Sequence, residues 1–434
     1  MTRRAAIEPQ DNRTAAERYL TEHLALLFSF VTAIVYYVSN PKPQNYYDYT
    51  FRVAGSLLSG RLGLIEQPPS WLNEFVPLGG TFYSVFPLGA VLTMIPAAML
   101  KTVGLIADMP GTLLAAISAG IICWLLIKIS AKYDTSLTRS SVMTAGIVFG
   151  SFMWTNLTFA GAWQLALGFS MIGELGAIYF TIYDRRPLIA GAFFALAFGN
   201  RTENLLTAPI LMYLLSLDGN DEMYVEAGSP VEKPKKAKSL KFKFDLKAIL
   251  RFSAVPLAMG VATLAYNYAR FGDLTDFGYA RIPGVLVEQW YNHGIFSTQY
   301  IPRQAWEMLG KNWEVGPTFP YLLPNGFSSS ILISSPFLLL ALKPGYRSGA
   351  VKLVSWTAVV ILTFLLWIHG NSGGWQFGYR YAMVLLPWLF VILLESAPRR
   401  LTRLEWVLYA LSIGANLYAT WLFHWTGYMK VGGG

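Results

Sequence analysis

The sequence predicts an all-α polytopic membrane protein with about eleven transmembrane helices and with interfacial helices in two extracytoplasmic loops. Of its 434 residues, 54% are hydrophobic and only 14% are charged, a composition that excludes a water-soluble enzyme. Apolar runs of about 20 residues, enough to cross about 30 Å of hydrocarbon as a helix, recur from Leu24 to Trp425. The net charge is +9, and in a membrane protein such an excess of Lys and Arg usually lies in the cytoplasmic loops. The basic charge therefore needs no nucleic-acid partner to explain it, and we predict none.

The apolar runs between polar breaks define the individual spans. They are 24–39, 83–105, 111–130, 140–157, 161–183, 188–217, 249–269, 331–342, 350–369, 377–394 and 404–425. The sixth run is too long for one straight crossing, and charged residues interrupt it at 199–203, which predicts a tilted, broken or re-entrant pair. The eighth run is short for a span.

Basic residues set the predicted orientation, because Lys and Arg concentrate in cytoplasmic loops. Segment 1–23, with four arginines before the first apolar run, is predicted to be cytoplasmic and to precede a signal anchor. The lysines of 233–247, and the basic residues after the eighth and tenth spans, then also fall inside. Two groups disagree on this count: Lys128, Lys132 and Arg139, and likewise Arg185 and Arg186, come out on the opposite side. A re-entrant or miscounted element between 83 and 217 would remove the conflict.

The chain divides into two predicted membrane modules. Residues 24–217 form the first and include an external loop, 40–82; residues 249–425 form the second and include an external loop, 270–330. The segment 218–248 between them is acidic and then lysine-rich, a composition that cannot bury a core, so it is predicted to be a cytoplasmic linker. Residues 426–434 are a tail. The single cysteine, Cys123, excludes an intrachain disulfide.

The first external loop contains the most informative motif, Asn45-Tyr46-Tyr47-Asp48-Tyr49-Thr50-Phe51-Arg52. Phe51, Ala54, Leu58 and Ile65 recur at helical spacing, which predicts an amphipathic helix in the membrane interface. Asp48 then lies at the helix start, where free amide N–H groups and the helix dipole hold a carboxylate ionised. Such a carboxylate suits a general base acting on a lipid-borne substrate, although the spacing alone favours the alternative, an ordinary N-cap.

Several further stretches accompany this motif. They are Phe82 to Gly89, Ala190 to Asn204, Tyr266 to Gly272 with Phe277-Gly278-Tyr279, and Gly374 to Tyr381. With a cytoplasmic N-terminus, one span and then an acidic residue ahead of an amphipathic helix, the chain resembles the GT-C superfamily of membrane glycosyltransferases. These include the protein O-mannosyltransferases, the dolichol-dependent mannosyl- and glucosyltransferases and the bacterial aminoarabinose transferases. Two tyrosines precede Asp48 where some members have a second acid, so a metal-binding carboxylate pair is in doubt and a divalent ion stays an open possibility.

The resemblance implies inverting transfer of a sugar from a polyprenyl-phosphate donor. Asp48 takes the proton of the acceptor hydroxyl as this oxygen attacks the anomeric carbon, and the lipid phosphate leaves. The acceptor is a glycan, a lipid or a protein. The enzyme is expected in the plasma (inner) membrane of a bacterium, among membrane lipids, with its active site on the extracytoplasmic side.

A departing lipid phosphate needs fixed cationic groups. Arg380, at the predicted outer end of the tenth span, is the leading phosphate ligand, together with its neighbour Tyr379; a snorkelling interfacial anchor is the alternative for Arg380. Arg281 and His293 in the second loop are further candidates for the donor phosphate.

Arg201 and Glu203 lie within an apolar stretch, where unpaired charges cost a few kcal/mol. They are predicted to contact substrate or to form a structural salt link. Tyr47 and Arg52, on either side of Asp48, are also predicted to bind substrate. A transporter or flippase of a lipid-linked or polar substrate is the alternative function, with Arg201 and Glu203 lining the path and Asp48 acting as a cap. Polymerase or ligase chemistry on diphosphate-linked glycans is a third possibility.

Overall fold

A computed structural model describes residues 15–41, 47–133, 136–217, 244–344, 350–396 and 400–429. Of the residues that it describes, 67% are helical. Within the described residues, six helices are long and apolar enough to cross a membrane. They comprise residues 22–39, 111–130, 162–183, 246–271, 350–368 and 403–425. The structure is therefore consistent with an all-α membrane protein, whereas the predicted number of eleven spans is not confirmed.

Sixteen α-helices are found in the described part of the chain. They are α1 (Ala15–Ser39), α2 (Tyr49–Leu58), α3 (Leu88–Leu92), α4 (Ile95–Thr102), α5 (Gly111–Ser130), α6 (Leu137–Val148), α7 (Met153–Thr158), α8 (Ala162–Ile178), α9 (Pro187–Asn200), α10 (Ala208–Leu215), α11 (Leu246–Phe271), α12 (Ile301–Ala305), α13 (Ile331–Ser334), α14 (Ala350–Ile368), α15 (Leu386–Ser396) and α16 (Arg403–Trp425). Two antiparallel hairpins pair β1 (Phe75–Leu78) with β2 (Thr81–Ser84) and β3 (Glu314–Val315) with β4 (Leu322–Leu323). Helices α8 and α15 are buried along almost their whole length and form the centre of the core.

The six long helices coincide with six of the predicted spans, and the other five predicted spans are built from shorter pieces. The run 83–105 contains only the end of β2 and the short helices α3 and α4. Proline explains two of these breaks, because Pro96 and Pro336 each stand at the start of a new helical segment, where a missing N–H costs nothing. The run 377–394 begins as a 3₁₀ segment, Arg380–Leu385, before α15.

One end of the helix bundle collects the basic residues, and we call it the basic end. Lys128, at the end of α5, forms an ion pair with Glu22 of α1 at 3.1 Å, and the Lys132 ammonium lies 5.8 Å from the ring of Tyr179. Arg185 donates to the carbonyl of Leu217. Lys128, Lys132, Arg139, Arg185 and Arg186 therefore lie at the same end as Glu22, and a miscounted element between 83 and 217 explains the conflict in the span count. The reason is that 83–105 does not form one continuous helix and 188–217 turns back on itself.

The reversal within 188–217 occurs at Arg201, as the charged interruption predicts. Helix α9 leads away from the basic end, and a 3₁₀ segment, Thr202–Thr207, followed by α10 returns to it. Two side-chain hydrogen bonds attach the 3₁₀ segment of this helical hairpin to α8: Asn204 donates to Ser170 at 2.5 Å, and Thr207 donates to Glu174 at 2.9 Å. The hairpin thereby places Arg201 and Glu203 away from the basic end.

A buried ion pair joins α6 to α16 at the basic end. The Arg139 guanidinium and the Glu405 carboxylate are 2.8 Å apart, and both side chains are almost completely buried. Glu405 also accepts from Thr402 in a capping box at the start of α16, and Lys343 lies 3.7 Å away. These partners satisfy both charges, which an apolar interior requires.

The opposite end, which we call the loop end, carries the long connections. The carbonyl of Ser39 accepts from Trp425, and the side chain of Asn40 donates to the carbonyl of Thr158. The first predicted loop, 40–82, contributes α2 and β1, and the second, 270–330, contributes α12, five further short helical turns and the β3–β4 hairpin. The backbone N–H of Ser297 donates to the carbonyl of Ile368, which joins the second loop to the end of α14.

Parts of three predicted segments lie outside the described residues. These are most of the 1–23 segment, most of the linker 218–248, and 430–434 of the tail. Where described, α1 begins nine residues earlier than the predicted span, and α11 begins at Leu246, inside the predicted linker.

Glycine permits the closest contact between α9 and α11. A Cβ atom on Gly191 would lie 2.0 Å from the carbonyl oxygen of Phe252, whereas one on Gly260 of α11 would meet no atom within 4 Å. Backbone atoms cannot move aside as a flexible side chain does, so Gly191 is required for this packing.

We expect Gly191→Ala to lower the free energy of unfolding by about 1–3 kcal/mol through overpacking. Gly260→Ala, the matched control, should leave stability unchanged or raise it by about 0.5–1 kcal/mol, because alanine favours a helix interior. Thermal unfolding of the purified protein in detergent measures both. Equal melting temperatures for the two variants would contradict this packing.

Candidate functional site

Charged and aromatic side chains from four parts of the chain meet at the loop end. The first external loop supplies Tyr47 and Glu74, and the start of α8 supplies Trp163. The α9–α10 hairpin supplies Arg201, and the segment after α14 supplies Arg380 and Tyr381. Ring contacts and hydrogen bonds join these residues into one cluster, which we call the loop-end cluster.

Arg380 is the unusual member of this cluster because its charge is buried without an anion. The residue is 6% exposed, and its Nε has no hydrogen-bond partner within the described part of the chain. Its guanidinium lies 5.5 Å from the ring of Trp163 and 5.2 Å from that of Tyr381. No described carboxylate lies within ion-pair distance of it, unlike the guanidinium of Arg139. A buried, unpaired cation of this kind favours an anionic ligand.

The backbone ahead of Arg380 is held by buried amide side chains. Asn156 bonds both the N–H and the carbonyl of Phe377, at 3.1 and 2.6 Å. The side-chain oxygen of Gln376 accepts from the N–H of Arg380 at 2.7 Å. Gly378 has a φ of 66°, and a Cβ there would lie 2.8 Å from the side chain of Phe152. These contacts fix the direction in which the Arg380 side chain leaves the backbone.

Trp163 is the centre of the aromatic part of the cluster. Its ring centroid lies 4.8 Å from that of Tyr47, 5.2 Å from that of Tyr49 and 6.1 Å from that of Phe86. Its indole N–H donates to the Glu74 carboxylate at 2.8 Å. One tryptophan therefore contacts Arg380, the predicted substrate residue Tyr47 and a carboxylate.

Glu74 is the carboxylate that sequence reasoning missed. Burial raises the pKa of its carboxyl to about 7, although the Trp163 hydrogen bond and the charges of Arg380 and Arg201 oppose the rise; Glu288 adds to it. The sequence around Glu74, Trp71-Leu72-Asn73-Glu74, carries no spacing signal that links it to Arg380, since the two are 306 positions apart. A carboxyl with a pKa near neutrality is suited to proton transfer.

Arg201 and Glu203 form the ion pair that one of the two sequence-based interpretations predicts. The guanidinium and carboxylate are 2.6 Å apart, and the side chains are only 18% and 11% exposed. The Arg201 guanidinium also lies 4.8 Å from the ring of Tyr381, which contacts Arg380 on the same ring. The pair therefore lies beside the unpaired arginine, so the ion pair and a role toward substrate are compatible.

Asp48 precedes α2, as predicted, but its environment differs from the expectation. Its side chain makes no capping hydrogen bond and instead accepts from Nε of Arg52, one turn along the helix, at 2.7 Å. Arg52, predicted to bind substrate, is thus paired with Asp48, and 40% of its side chain is exposed. Helix α2 ends at Leu58, so Ile65 is not on its apolar face. The neighbouring Tyr47 connects Asp48 to the cluster through Trp163.

The remaining predicted phosphate ligands lie in different surroundings. Tyr379 is fully buried, and its hydroxyl donates to Gln304 at 2.8 Å, so this hydroxyl is engaged in the core; Tyr381 is the tyrosine of the cluster. Arg281 is exposed and forms an ion pair with Asp276 at 2.5 Å. His293 is exposed, with its ring 5.8 Å from that of Tyr300. The structure does not bring Arg281 or His293 into contact with Arg380.

An aromatic group next to the cluster surrounds His369, at the end of α14. The rings of Phe296, Tyr291, Tyr381 and Tyr279 lie 5.4 to 6.5 Å from its imidazole. The hydroxyls of Tyr279 and Tyr291 are 2.8 Å apart. The second external loop therefore closes over the segment that carries Arg380. No three His, Cys, Asp or Glu side chains are grouped as ligands for a metal ion in the described ranges.

Comparisons with protein-family models, with curated proteins and with solved structures found no match to this chain. What the loop-end cluster can do is therefore argued from its own geometry.

The Glu74 carboxyl gives the cluster a pH dependence whose sign follows from its pKa of about 7. Below pH 7 the carboxyl is neutral, and above it a negative charge faces Arg380. We expect the affinity for a phosphodiester lipid, whose own charge is constant between pH 5 and 8, to fall several-fold as the pH rises through 7. Glu74→Gln should bind this lipid with the same affinity below and above pH 7, because it has no carboxyl group to titrate. Lipid affinities measured from pH 5.5 to 8.5 test this expectation. A Glu74→Gln variant whose affinity falls with pH as steeply as that of the wild type would contradict it.

Proposed function

We propose that the protein is an integral-membrane glycosyltransferase that moves a sugar from a polyprenyl-phosphate donor to a glycan, lipid or protein acceptor. One observation carries the proposal: Arg380 is 6% exposed and its guanidinium lacks an anionic partner within the described residues. An arginine fork matches a phosphate group, and the ordered aromatic walls on either side limit the reorganisation that binding requires. Arg380 also lies in Gly374 to Tyr381, one of the stretches in which the chain resembles GT-C enzymes.

The reaction needs negative charge to be stabilised on the leaving group. As the acceptor oxygen bonds to the anomeric carbon, the bond from this carbon to the donor phosphate oxygen breaks, and the lipid phosphate gains a negative charge. Arg380 stabilises that charge, and the Arg201 guanidinium, whose charge Glu203 offsets in part, lies beside the ring of Tyr381 that Arg380 also contacts. Burial strengthens both interactions because the local dielectric is low.

The acceptor proton goes to a carboxylate, for which we propose Asp48. Tyr47 packs against Trp163, so Asp48 lies one residue from the cluster, and only 13% of its side chain is exposed. Arg52 orients its carboxylate through the 2.7 Å bond. Glu74 is a second carboxyl in the same region and sets the charge next to Arg380. In this proposal Glu74 tunes donor binding, and Asp48 accepts the proton.

The orientation in the membrane follows from the distribution of charge. We assign the basic end to the cytoplasm, because Lys and Arg accumulate there in membrane proteins. The loop-end cluster then faces the extracytoplasmic side of a bacterial plasma membrane, where the head group of a polyprenyl-phosphate sugar is accessible.

A transporter or flippase is the second candidate, and the α9–α10 hairpin favours it. A helix that reverses at a charged pair inside a bundle is typical of substrate paths in secondary transporters. The two functions differ in what they require: transfer needs a proton acceptor at Asp48, whereas transport needs the Arg201–Glu203 pair and turns over no glycosidic bond.

The phosphate assignment predicts a loss of donor binding when the fork is removed. Arg380→Gln should weaken binding of a short-chain polyprenyl phosphate about 10- to 100-fold, because a charged hydrogen bond contributes about 1.5–3 kcal/mol. The affinity of Arg380→Lys should lie between those of the wild type and Arg380→Gln, because lysine keeps the positive charge but lacks the planar fork. Arg61→Gln, which removes an exposed arginine of the first external loop, is the control. Fluorescence or calorimetric titration measures the affinities, and an Arg380→Gln variant that binds like the wild type would refute the assignment.

The base assignment predicts a separate effect on turnover. With radiolabelled polyprenyl-phosphate sugars and a lipid extract as acceptor, Asp48→Asn should reduce sugar transfer about 10²- to 10⁴-fold while leaving donor affinity within about two-fold. Glu74→Gln should retain transfer with an altered pH profile. An active Asp48→Asn variant would exclude Asp48 as the base, and an inactive Glu74→Gln variant beside it would assign that role to Glu74.

A further inference from the structure

A groove with apolar walls opens at the basic end, far from the loop-end cluster. Its volume is about 530 Å³, and it lies between the starts of α9 and α11. Leu188 of α9 forms one wall, and Leu246, Leu250 and Ala254, spaced four residues apart on α11, form the other. The tight contact between Gly191 and Phe252 closes the two helices against each other beside it.

Two cations stand at the mouth of this groove. Lys247 and Arg251 belong to its lining, lie one helical turn apart and are exposed. Neither forms an ion pair or a side-chain hydrogen bond within the part of the chain that the structure describes. The nearby acids are already engaged: Asp245 caps α11 through the N–H of Ala248 and lies 3.7 Å from Arg185, and Asp184 is paired with Arg186. Among the described residues, the positive charge of the groove is therefore uncompensated.

The apolar wall continues along α11 beyond the groove. Leu257, Val261 and Leu264 are 65%, 66% and 40% exposed. From Leu246 to Leu264 the stripe is about 27 Å long at 1.5 Å per residue. An acyl chain that starts in the groove therefore has a continuous apolar surface on which to lie.

We propose that this groove binds one anionic glycerophospholipid of the bilayer. The lipid phosphate and its anionic head group lie between Lys247 and Arg251, and one acyl chain follows Leu250 and Ala254 toward Leu257. Charge complementarity selects an anionic head group over a zwitterionic one, because two adjacent cations, and no unpaired acid of the described ranges, border the site. The bound lipid bridges α9 and α11 and so supports the helix that carries Arg201 at its far end.

Native mass spectrometry of the full chain in a neutral detergent tests the proposal. Phosphatidylglycerol and phosphatidylcholine with identical acyl chains are the probes. We expect one phosphatidylglycerol molecule to bind well before any phosphatidylcholine. Lys247→Gln/Arg251→Gln should bind it about 25-fold more weakly, since each basic residue contributes about five-fold. Arg400→Gln/Arg403→Gln removes the same charge from exposed positions at the same end and should bind like the wild type.

A second variant tests the apolar part of the site without changing its charge. Leu250→Trp fills the groove from a lipid-exposed position that tolerates a larger side chain, and it should also abolish the tight phosphatidylglycerol adduct. This variant decides the question if the double variant does not fold. Equal binding of the two lipids to the wild type, equal losses in the two charge variants, or a Leu250→Trp variant that retains the adduct would each overturn the proposal.

Discussion

A positive charge enclosed among aromatic rings, without a carboxylate to neutralise it, is the constraint around which the loop end is organised. Two other buried arginines of the described chain have partners for the guanidinium: Arg139 has Glu405, and Arg270 donates to the carbonyl of Ser84 and to Asn267. The Nε of Arg139 and that of Arg380 both lack a hydrogen-bond partner in the described residues, but the Arg380 guanidinium has ring contacts there and no carboxylate or carbonyl partner. Because an isolated buried cation is unfavourable, this arrangement is the observation from which we infer an anionic ligand.

The fold serves this arrangement by interrupting helices near the loop end. Arg201 is itself in extended conformation and directly precedes the 3₁₀ segment Thr202–Thr207. Tyr379 is extended in the same way and directly precedes the 3₁₀ segment that begins at Arg380. Each arginine therefore lies at the start of a 3₁₀ segment. Continuous helices would point these side chains into lipid or into the core. Hydrogen bonds from Asn204 and Thr207 to α8, and from Asn156 to Phe377, hold the interrupted backbone. Polar groups freed by a broken helix are thus satisfied within the protein, as a membrane interior demands.

How much of this the sequence predicts depends on the length scale of each signal. The apolar spans of the six long helices are predicted within a few residues, because an uninterrupted apolar run is a local property of the chain. The run 83–105 is equally apolar, yet it forms two short helices, since Pro96 and the packing of Gly89 against Gly199 decide its shape. Hydropathy does not contain that information. Counting this run as one span is also the source of the conflict over the side on which Lys128, Lys132 and Arg139 lie.

The site shows the same division. Arg380 and Arg201 are identified from the sequence because a charge beside an apolar run is conspicuous there. Glu74 and Trp163 are not, since their importance depends on a contact between an external loop and the start of α8. For Asp48 the two sequence-based interpretations both assume free amide groups, and the structure instead pairs it with Arg52, which a spacing of four residues on a helix allows. The roles of Asp48 and Arg52 toward substrate remain predictions.

The most direct test of the central claim is an experimental structure of the protein with a non-hydrolysable polyprenyl-phosphate sugar bound. The account predicts the donor phosphate at the loop end, with its oxygens at about 2.8 Å from the Arg380 guanidinium. It also predicts the sugar on the side of Trp163 and Asp48. A phosphate bound elsewhere, with Arg380 unliganded or paired with a protein carboxylate, would contradict it.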